Sequence, residues 1–325
     1  MSAPSADNRV EDLHSERRRV LEGSGLETEE ASDFLAGLDR LRFASVLLAA
    51  GASRPRIQPR GGFPSFDKQR ALILALDSAG ADFVPLTIDS YTRQNDHAGA
   101  AKLLEQGKRD GQDLLNGYPL VAHGHLRSRD LFDGVDRPVS LRHGTPDARL
   151  LVEVALASGV TEIEGGGISY TLPYSRDFPL DRALLFWQYV DRVCAASGGL
   201  DAPVHRESFG VLTATMVPPV IVIVVQLCEL LLAAEQGVTS FSVSFGQTGS
   251  LEQDLAVAAV LREKSTEVLD RFGFEGVRVR LAYHQWMGAF PADRDLASHA
   301  IAASSVGAAL SGADKVVVKT RDEAF

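Results

Sequence analysis

Short β-branched or apolar runs alternate with longer helical patterns along most of this 325-residue chain. There are nine such runs, at residues 56–59, 82–88, 119–122, 139–142, 161–164, 204–209, 240–244, 277–283 and 315–319. Strands separated by helices of this length must run parallel, because each crossover returns the chain to the same edge of the sheet. So long a series favours an α/β fold, a (β/α)8 TIM barrel, over a doubly wound sheet. One run must then be peripheral or not a strand.

Three of the intervening helices have clear ends in the sequence. Pro146 begins one that ends at Gly159, Pro218 and Pro219 begin one that ends at Gly237, and Ser250 begins one that closes near Gly273. Proline is favoured in the first turn of a helix and glycine just beyond its end.

The first 45 residues differ from the rest in composition. They are charged and weakly patterned, and their basic run at 17–19 is set among glutamates. This pattern predicts a solvated helical N-terminal arm, residues 1–45, ahead of a TIM-barrel domain at residues 46–325. The first 19 residues contain no apolar segment and therefore predict neither a signal nor a transit peptide.

Composition excludes several classes of function. The net charge of −10 argues against nucleic acid or an anionic membrane as the main partner. Cys194 and Cys228 are the only cysteines, too few for a disulfide framework, so we expect a cytoplasmic protein. The apolar stretch at 217–234 is interrupted by Gln226 and Glu229, which favours a buried helix over a membrane span.

Three arginines follow three different predicted strands, at Arg60, Arg93 and Arg142. The carboxyl ends of barrel strands meet at one mouth, where TIM-barrel enzymes carry their chemistry. A guanidinium group binds a carboxylate with two parallel hydrogen bonds. Isolated arginines are usually solvated, but three at one mouth of an acidic protein predict a site for a ligand with two carboxylates.

The stretch TEIEGGGISYTLPY, residues 161–174, places Glu164 at a strand end directly before three glycines. Tyr170 and Tyr174 follow on the loop. Glycines suit a position where the backbone must pass close to another group, and a tight turn with a solvated glutamate is the alternative. Together with the arginines, the stretch favours a polar pocket in which Glu164 takes an ammonium group.

Other motifs give weaker signals. His123 and His125 have no acidic or cysteine ligand at a useful spacing, so we interpret them as a loop pair and predict no metal site. The sequence has no G-x-S-x-G motif, no P-loop and no G-x-G-x-x-G after a strand.

Several longer blocks of sequence carry a family resemblance. They are IQPRGGFP (57–64), TIDSYTRQN (87–95), RHGTPDARLL (142–151), EGGGISYTLPY (164–174), LLAAEQGV (231–238), HQWMGAFP (284–291) and VVVKT (316–320). From about residue 55 onward the chain resembles the large, epsilon subunit of coenzyme B12-dependent glutamate mutase, also called methylaspartate mutase, a TIM-barrel family. The resemblance implies an isomerase that interconverts L-glutamate and 3-methylaspartate. In that reaction an adenosyl radical from adenosylcobalamin takes a substrate hydrogen, and the substrate radical fragments to a glycyl radical and acrylate and then recombines.

The resemblance also implies roles for individual residues. Arg60, Arg93 and Arg142 match the family's carboxylate-binding arginines, and Glu164 matches the carboxylate that engages the substrate amino group. The remaining matches are Tyr170 and Tyr174, which hydrogen-bond the substrate, Phe209 and Met287 in the pocket wall, and Lys319 and Glu323 near the coenzyme's ribose.

The chain departs from the family in three respects. It lacks the D-x-H-x-x-G motif that grips cobalamin, which implies a separate small cobalamin-binding subunit; we expect a homodimer of large subunits within a heterotetramer. It stops at Phe325 while family members continue, which puts closure over the coenzyme and dimer contacts in doubt. The segment Val220 to Val225 is more β-branched than expected. A noncatalytic or truncated binding subunit, a mutase for a related amino dicarboxylate, and a cofactor-free lyase remain alternatives.

Overall fold

The computed structural model describes residues 6–175, 177–210 and 217–322. Eight parallel strands form one sheet in the order β1-β8-β7-β6-β5-β4-β3-β2. The strands are β1 (Arg56–Gln58), β2 (Val84–Thr87), β3 (Val139–Arg142), β4 (Glu162–Glu164), β5 (His205–Glu207), β6 (Ser240–Gly246), β7 (Arg278–His284) and β8 (Lys315–Val317).

Backbone hydrogen bonds join the two ends of this order. The Ile57 carbonyl accepts from the amides of Asp82 and Phe83 at 3.0 and 3.2 Å, and the Thr87 amide donates to the Gly61 carbonyl at 3.2 Å. These bonds bring β1 beside β2 and close the sheet on itself. The predicted (β/α)8 TIM barrel is confirmed.

Helices connect the strands and cover the barrel. Those described are α1 (Ala6–Leu21), α2 (Glu30–Ala36), α3 (Ala44–Ala49), α4 (Phe66–Ser78), α5 (Ser90–Arg93), α6 (His97–Asp110), α7 (Leu120–His123), α8 (His125–Arg129), α9 (Arg149–Ala157), α10 (Thr171–Tyr174), α11 (Leu180–Ser197), α12 (Pro219–Glu235), α13 (Leu251–Phe272) and α14 (Arg294–Leu310). The predicted starts of α12 and α13 are confirmed. The helix predicted from Pro146 begins at Arg149 instead, because Thr145 and Asp147 hydrogen-bond one another in a turn.

The predicted strand at 119–122 is wrong. Tyr118 makes a single parallel bridge with Ile88, and the chain then enters the short helix α7. Gly124, with φ of 78°, ends that helix after one turn. The run was too short for its apolar residues to distinguish a helical turn from a strand.

The N-terminal segment is helical in its described part, but the prediction that it is solvated is wrong. Leu21, Leu26, Leu35 and Phe43 are buried in the same core as β2, β3 and β4. Helices α1 and α2 contact α9 and α11 on the outside of the barrel. The segment was predicted to be solvated because it carries many charges. Its few apolar residues are nevertheless enough to pack α1 and α2 against α9 and α11.

Helix α12 forms where the apolar stretch predicts it, yet it is buried on one side only. Val222, Val225 and Leu230 lie in the core, whereas Val220 and Val224 are more than half exposed. The prediction of a buried helix is therefore wrong for its outer face. Within the described ranges, no helix has both the length and the apolar character needed to cross a membrane.

The interior of the barrel contains charges as well as apolar side chains. Lys315 on β8 has its Nζ 2.5 Å from Oε1 of Glu162 and also contacts the carboxylate of Glu207. His205 lies between the hydroxyls of Ser240 and Ser242, at 2.8 Å from each. Buried charges are stable only when paired, so this network fixes which way the charged side chains of β4, β5 and β8 point.

Candidate active site

A cavity of about 250 Å³ lies at the carboxyl ends of the strands. Strand ends or the residues just beyond them supply much of its wall. Its lining is Arg60, Thr87, Ser90, Arg93, Gln94, Arg142, His143, Gly144, Glu164, Tyr174, Ser175, Phe209, His284 and Met287. Pockets for drug-sized ligands are typically about 300–1,000 Å³, so this cavity suits a small metabolite.

Most of the site residues proposed from sequence meet at this cavity. The lining includes Arg60, Arg93, Arg142, Glu164, Tyr174, Phe209 and Met287. Tyr170 is buried behind the wall, where its hydroxyl reaches Glu164. Lys319 does not line the cavity; its backbone amide donates to Oε1 of Gln285 at 2.9 Å. Glu323 lies outside the described residues.

Arg142 and Glu164 form an ion pair on one side of the cavity. They end the neighbouring strands β3 and β4, and Nη2 of Arg142 donates to Oε1 of Glu164. The Tyr170 hydroxyl donates to the other oxygen, Oε2, at 2.8 Å. Burial, followed by the negative charge of Glu164, raises the pKa of Tyr170 well above its usual value, so the phenol keeps this proton.

Glu207 lies below this pair and joins it to the interior network. Its Oε1 is 3.7 Å from Nη1 of Arg142 and 3.2 Å from Nε2 of His284, while Lys315 contacts its carboxylate. Burial opposes ionisation, but Lys315 and then His284 hold the pKa of Glu207 well below its usual range. Glu207 is therefore a carboxylate that supports Arg142 from beneath the cavity.

Glu164 is poised between two protonation states. Burial, assisted by the neighbouring Glu207 carboxylate, raises the pKa of Glu164 to about 7 against the opposing effect of Arg142. Burial lowers the pKa of His284 to about 4 and, with Arg93, lowers that of His143 well below its usual value. Both histidines are consequently neutral near pH 7. Glu164 is the group in the described cavity wall that is suited to accept a proton there.

The other two arginines follow β1 and β2 and line the same opening. Asp89 caps the short helix α5, and Arg93 at its end donates from Nε to the carbonyl of Ile88 at 2.7 Å. Arg60 follows β1, and its Nη1 lies 3.7 Å from the sulfur of Met287. Three guanidinium groups thus surround one cavity, as the strand ends predict.

The glycine run is positioned from behind by Glu229 of α12. Oε1 of Glu229 accepts from the amides of Ile168 and Ser169, each at 2.8 Å. A side chain at Gly166 would collide with this carboxylate, and one at Gly165, whose φ is 121°, would collide with Tyr170 and Trp187. The run therefore needs glycine for close approach to protein groups, whereas the sequence alone suggested approach to a ligand.

Aromatic rings complete the wall. The ring centroid of Phe209 lies 5.1 Å from that of Tyr170, 5.5 Å from Tyr174 and 5.9 Å from His284. Tyr174 is half exposed at the opening. These rings exclude water from one side of the Arg142–Glu164 pair and leave the arginine-lined side polar.

Comparison with known proteins identifies the family. The family described as Methylaspartate mutase E chain matches residues 39–325. This chain belongs to that family. The chain is 45% identical to the glutamate mutase epsilon subunit of Treponema denticola, over 82% of this chain and 56% of that protein. It is 40% identical to the epsilon subunit of Desulfitobacterium hafniense, over 97% of this chain and 66% of that protein. It is 42% identical to the epsilon subunit of Haloarcula marismortui, over 93% of this chain and 61% of that protein.

The resemblance seen in the sequence is therefore confirmed at the level of the family. The chain spans about 56–66% of the length of these three relatives. Among solved structures, phosphonopyruvate hydrolase in a complex with oxalate and Mg²⁺ aligns over 88% of this chain and 82% of the hydrolase chain. The TM-score is 0.47 and the sequence identity is 12%, a likeness too low to inform function.

Sequence reasoning missed three groups that organise the site of this methylaspartate mutase family member. Glu207, Lys315 and Glu229 are buried and hold the cavity residues in place. Parallel strands are normally apolar on both faces, so the charges of Glu207 and Lys315 within predicted strands were a usable signal. Glu229 was noted only as an interruption of an apolar helix.

The two histidines considered for metal binding have separate protein partners. Nε2 of His123 is 2.9 Å from the Pro64 carbonyl, and Nε2 of His125 is 2.6 Å from Oε1 of Glu30. They are therefore occupied with the protein rather than with each other. Glu164, Glu207 and His284 do bring possible ligand atoms within 4.8 Å of one another, but the cations of Arg142 and Lys315 already contact those two carboxylates.

Proposed function

We propose that this chain is the catalytic subunit of an adenosylcobalamin-dependent glutamate mutase that interconverts L-glutamate and 3-methylaspartate. The observation that carries the proposal is the cavity itself, where three arginines face Glu164 within about 250 Å³. Guanidinium groups suit the two carboxylates of such a substrate, and a carboxylate suits its ammonium group. The family relatives named as glutamate mutase epsilon subunits support the same assignment.

The residues can retain both halves of a substrate that breaks during its rearrangement. A glycyl fragment and acrylate each carry one carboxylate, so at least two separate arginines are needed to hold them. Arg142 and Arg93 belong to different elements, β3 and α5, and Arg60 follows a third, β1. Each fragment can thus keep an anchor while the bond between them is broken and re-formed.

Glu164 serves as the partner of the amino group and, because burial raises its pKa to about 7, as the base that accepts its proton. The Tyr170 hydroxyl donates to Oε2 of Glu164, which leaves Oε1 of Glu164 facing Arg142 and the cavity. The wall of Phe209 and Tyr174 keeps water from reactive fragments.

Adenosylcobalamin, when bound, supplies the adenosyl radical that removes a hydrogen atom from the substrate. The cavity of about 250 Å³ is too small to enclose a corrin ring, so the described residues would hold the substrate, and the corrin would have to be held outside the cavity. Lys319, just beyond β8, and Glu323, outside the described residues, are the side chains we propose for its ribose. A small partner subunit with a D-x-H-x-x-G motif would hold the rest, in a heterotetramer around a homodimer of this chain.

Reconstitution tests the proposal. The chain is mixed with adenosylcobalamin, L-glutamate and a small subunit that is active with another family member. We expect cob(II)alamin absorbance and 3-methylaspartate, and the Arg192→Met variant, which removes an ion pair outside the cavity, should behave like the wild type. Absence of both signals with a competent partner would contradict the proposal. Faster turnover of aspartate or 2-aminoadipate than of glutamate would assign a related amino dicarboxylate instead.

A further inference from the structure

The ion pair between Arg142 and Glu164 places two groups of the proposed substrate site in contact with each other. Their side chains are only 6% and 2% exposed, and both line the cavity. Each group is thus the counter-ion of the other. A ligand carboxylate that takes Arg142 away from Glu164 must compete with this internal partner.

The pair is made by only one nitrogen of the guanidinium group. Nη2 donates to Glu164, whereas Nη1 is buried, 3.7 Å from Glu207, and has no hydrogen-bond partner among the described residues. An unpaired donor in a buried guanidinium group favours an incoming acceptor. Arg142 can therefore swing towards a ligand carboxylate while the charge of Glu207 remains beneath it.

Glu164 is left in a different situation when Arg142 turns to a ligand. Tyr170 still donates to Oε2, but Oε1 and the negative charge lose their partner. A buried carboxylate without a counter-ion is strongly unfavourable. A ligand with an ammonium group near its carboxylate removes this penalty, since it offers Glu164 a new cation at the moment that Arg142 leaves.

We propose that ligand binding exchanges the internal Arg142–Glu164 ion pair for two new pairs, ligand carboxylate with Arg142 and ligand ammonium with Glu164. This inference rests on the proposed function, because it takes the ligand to be an amino dicarboxylate. The exchange makes Glu164 a specificity residue that rejects dicarboxylates without an amino group. It acts before any reaction and needs no coenzyme.

Binding to the wild-type chain provides the first test. Calorimetry without coenzyme compares L-glutamate with 2-hydroxyglutarate, which has the same shape and a neutral hydroxyl, and with glutarate. We expect glutamate to bind at least about tenfold more tightly than either. Equal affinities would overturn the exchange, although turnover in the reconstituted mutase would still support the proposed function. Binding of none of the three would overturn the exchange, which needs no coenzyme, and the proposed function would then be decided by turnover in the reconstituted mutase.

The Glu164→Gln variant tests the exchange directly. Without the Glu164 carboxylate, Arg142 keeps Glu207 beneath it but has no pair to break when a ligand binds, so glutarate should bind several-fold more tightly than it does to the wild type. Glutamate should bind about tenfold more weakly, because its ammonium loses its partner. Glutarate binding that is unchanged or weakened would overturn the proposal.

The Asp77→Asn variant is the matched control. It removes a carboxylate from another arginine pair, Arg137–Asp77, which precedes β3 and so lies towards the other end of the barrel. We expect all three ligands to bind it as they bind the wild type. If Glu164→Gln does not fold, the wild-type series can still overturn the proposal, because equal affinities for glutamate and glutarate would rule the exchange out.

Discussion

The described part of the structure contains two buried triads of arginine, glutamate and tyrosine, and they differ in what surrounds them. In one, Nε and Nη2 of Arg17 each donate to a different oxygen of Glu153 at 2.8 Å, and the Tyr189 hydroxyl donates to Oε1 at 2.6 Å. This triad joins α1 to α9 and α11. In the other, Arg142 reaches Glu164 with a single nitrogen, and Tyr170 donates to the remaining oxygen.

The difference shows how identical side chains can be committed to structure or kept for a ligand. Glu153 receives two parallel hydrogen bonds from Arg17 and a third from Tyr189, and neither Arg17 nor Glu153 lines the cavity. Arg142 has a second carboxylate beneath it, Glu207, and a cavity beside it, so its pairing with Glu164 can change. The number of nitrogens used and the presence of a cavity, rather than residue type, distinguish the two.

The largest effect should come from breaking the structural triad. Arg17→Met leaves Glu153, which is fully buried, without a counter-ion and should lower the free energy of unfolding by about 3–5 kcal/mol. Urea unfolding measures this change. Arg192→Met is the control, because its partner Glu16 is more exposed than Glu153 and the loss should be smaller. Similar losses for the two variants would show that the Arg17 pair has no special structural role.

The corresponding change in the second triad should affect function rather than stability. Arg142→Lys keeps the positive charge but cannot bind Glu207, Glu164 and a ligand with a planar fork. We expect kcat/KM with glutamate to fall about 100-fold, which is about 2.7 kcal/mol of transition-state stabilisation. Steady-state kinetics of the reconstituted mutase gives the value. A normal kcat/KM with reduced stability would place Arg142 with Arg17 as a structural residue.

The glycine run at 165–167 carries the chain from Glu164 to Tyr170 and so positions the triad of Arg142, Glu164 and Tyr170 beside the cavity. Gly166→Ala tests this role of the glycines. A Cβ there meets the Glu229 carboxylate and should displace the loop that carries Tyr170, at a cost of about 1–3 kcal/mol. Thermal unfolding and glutamate calorimetry should both report the change. Gly199→Ala is the control, since a Cβ at Gly199 meets nothing within 4 Å. An unaffected affinity in Gly166→Ala would mean that Glu229 does not position the site.

From the sequence, the Arg142 triad could be predicted as part of a site. The structural role of the Arg17 triad could not be predicted. Arg142 and Glu164 end predicted strands, and a barrel necessarily brings such ends together. Arg17 and Glu153 are 136 residues apart, on helices whose docking no local pattern determines. Glu207 and Lys315 lie within strands at interior positions, so only the closed barrel shows that they meet. The helical turn at 119–122 and the exposed face of α12 likewise depend on packing.

The smallest effect, and the last way to separate the triads, is a dependence of ligand affinity on pH. Ammonium binding needs Glu164 as a carboxylate, and burial raises its pKa to about 7. Affinity for glutamate should therefore rise with pH, by up to about tenfold per unit below pH 7, and level off above it. His284, with a pKa of about 4, stays neutral in this range and adds no step.

Two variants identify the group whose titration causes this pH dependence of glutamate affinity. Glu164→Gln should remove the pH dependence, because no carboxylate remains to compete for a proton with the ligand ammonium. Glu229→Gln should retain it, although burial raises the pKa of Glu229 to about 7 as well, because Glu229 contacts the loop amides and not the cavity. If the pH dependence of glutamate affinity disappears in Glu229→Gln but persists in Glu164→Gln, the titrating group is Glu229, which contacts the loop, and not Glu164. Arg17→Met should leave the midpoint where it is, since its triad shares no wall with the cavity.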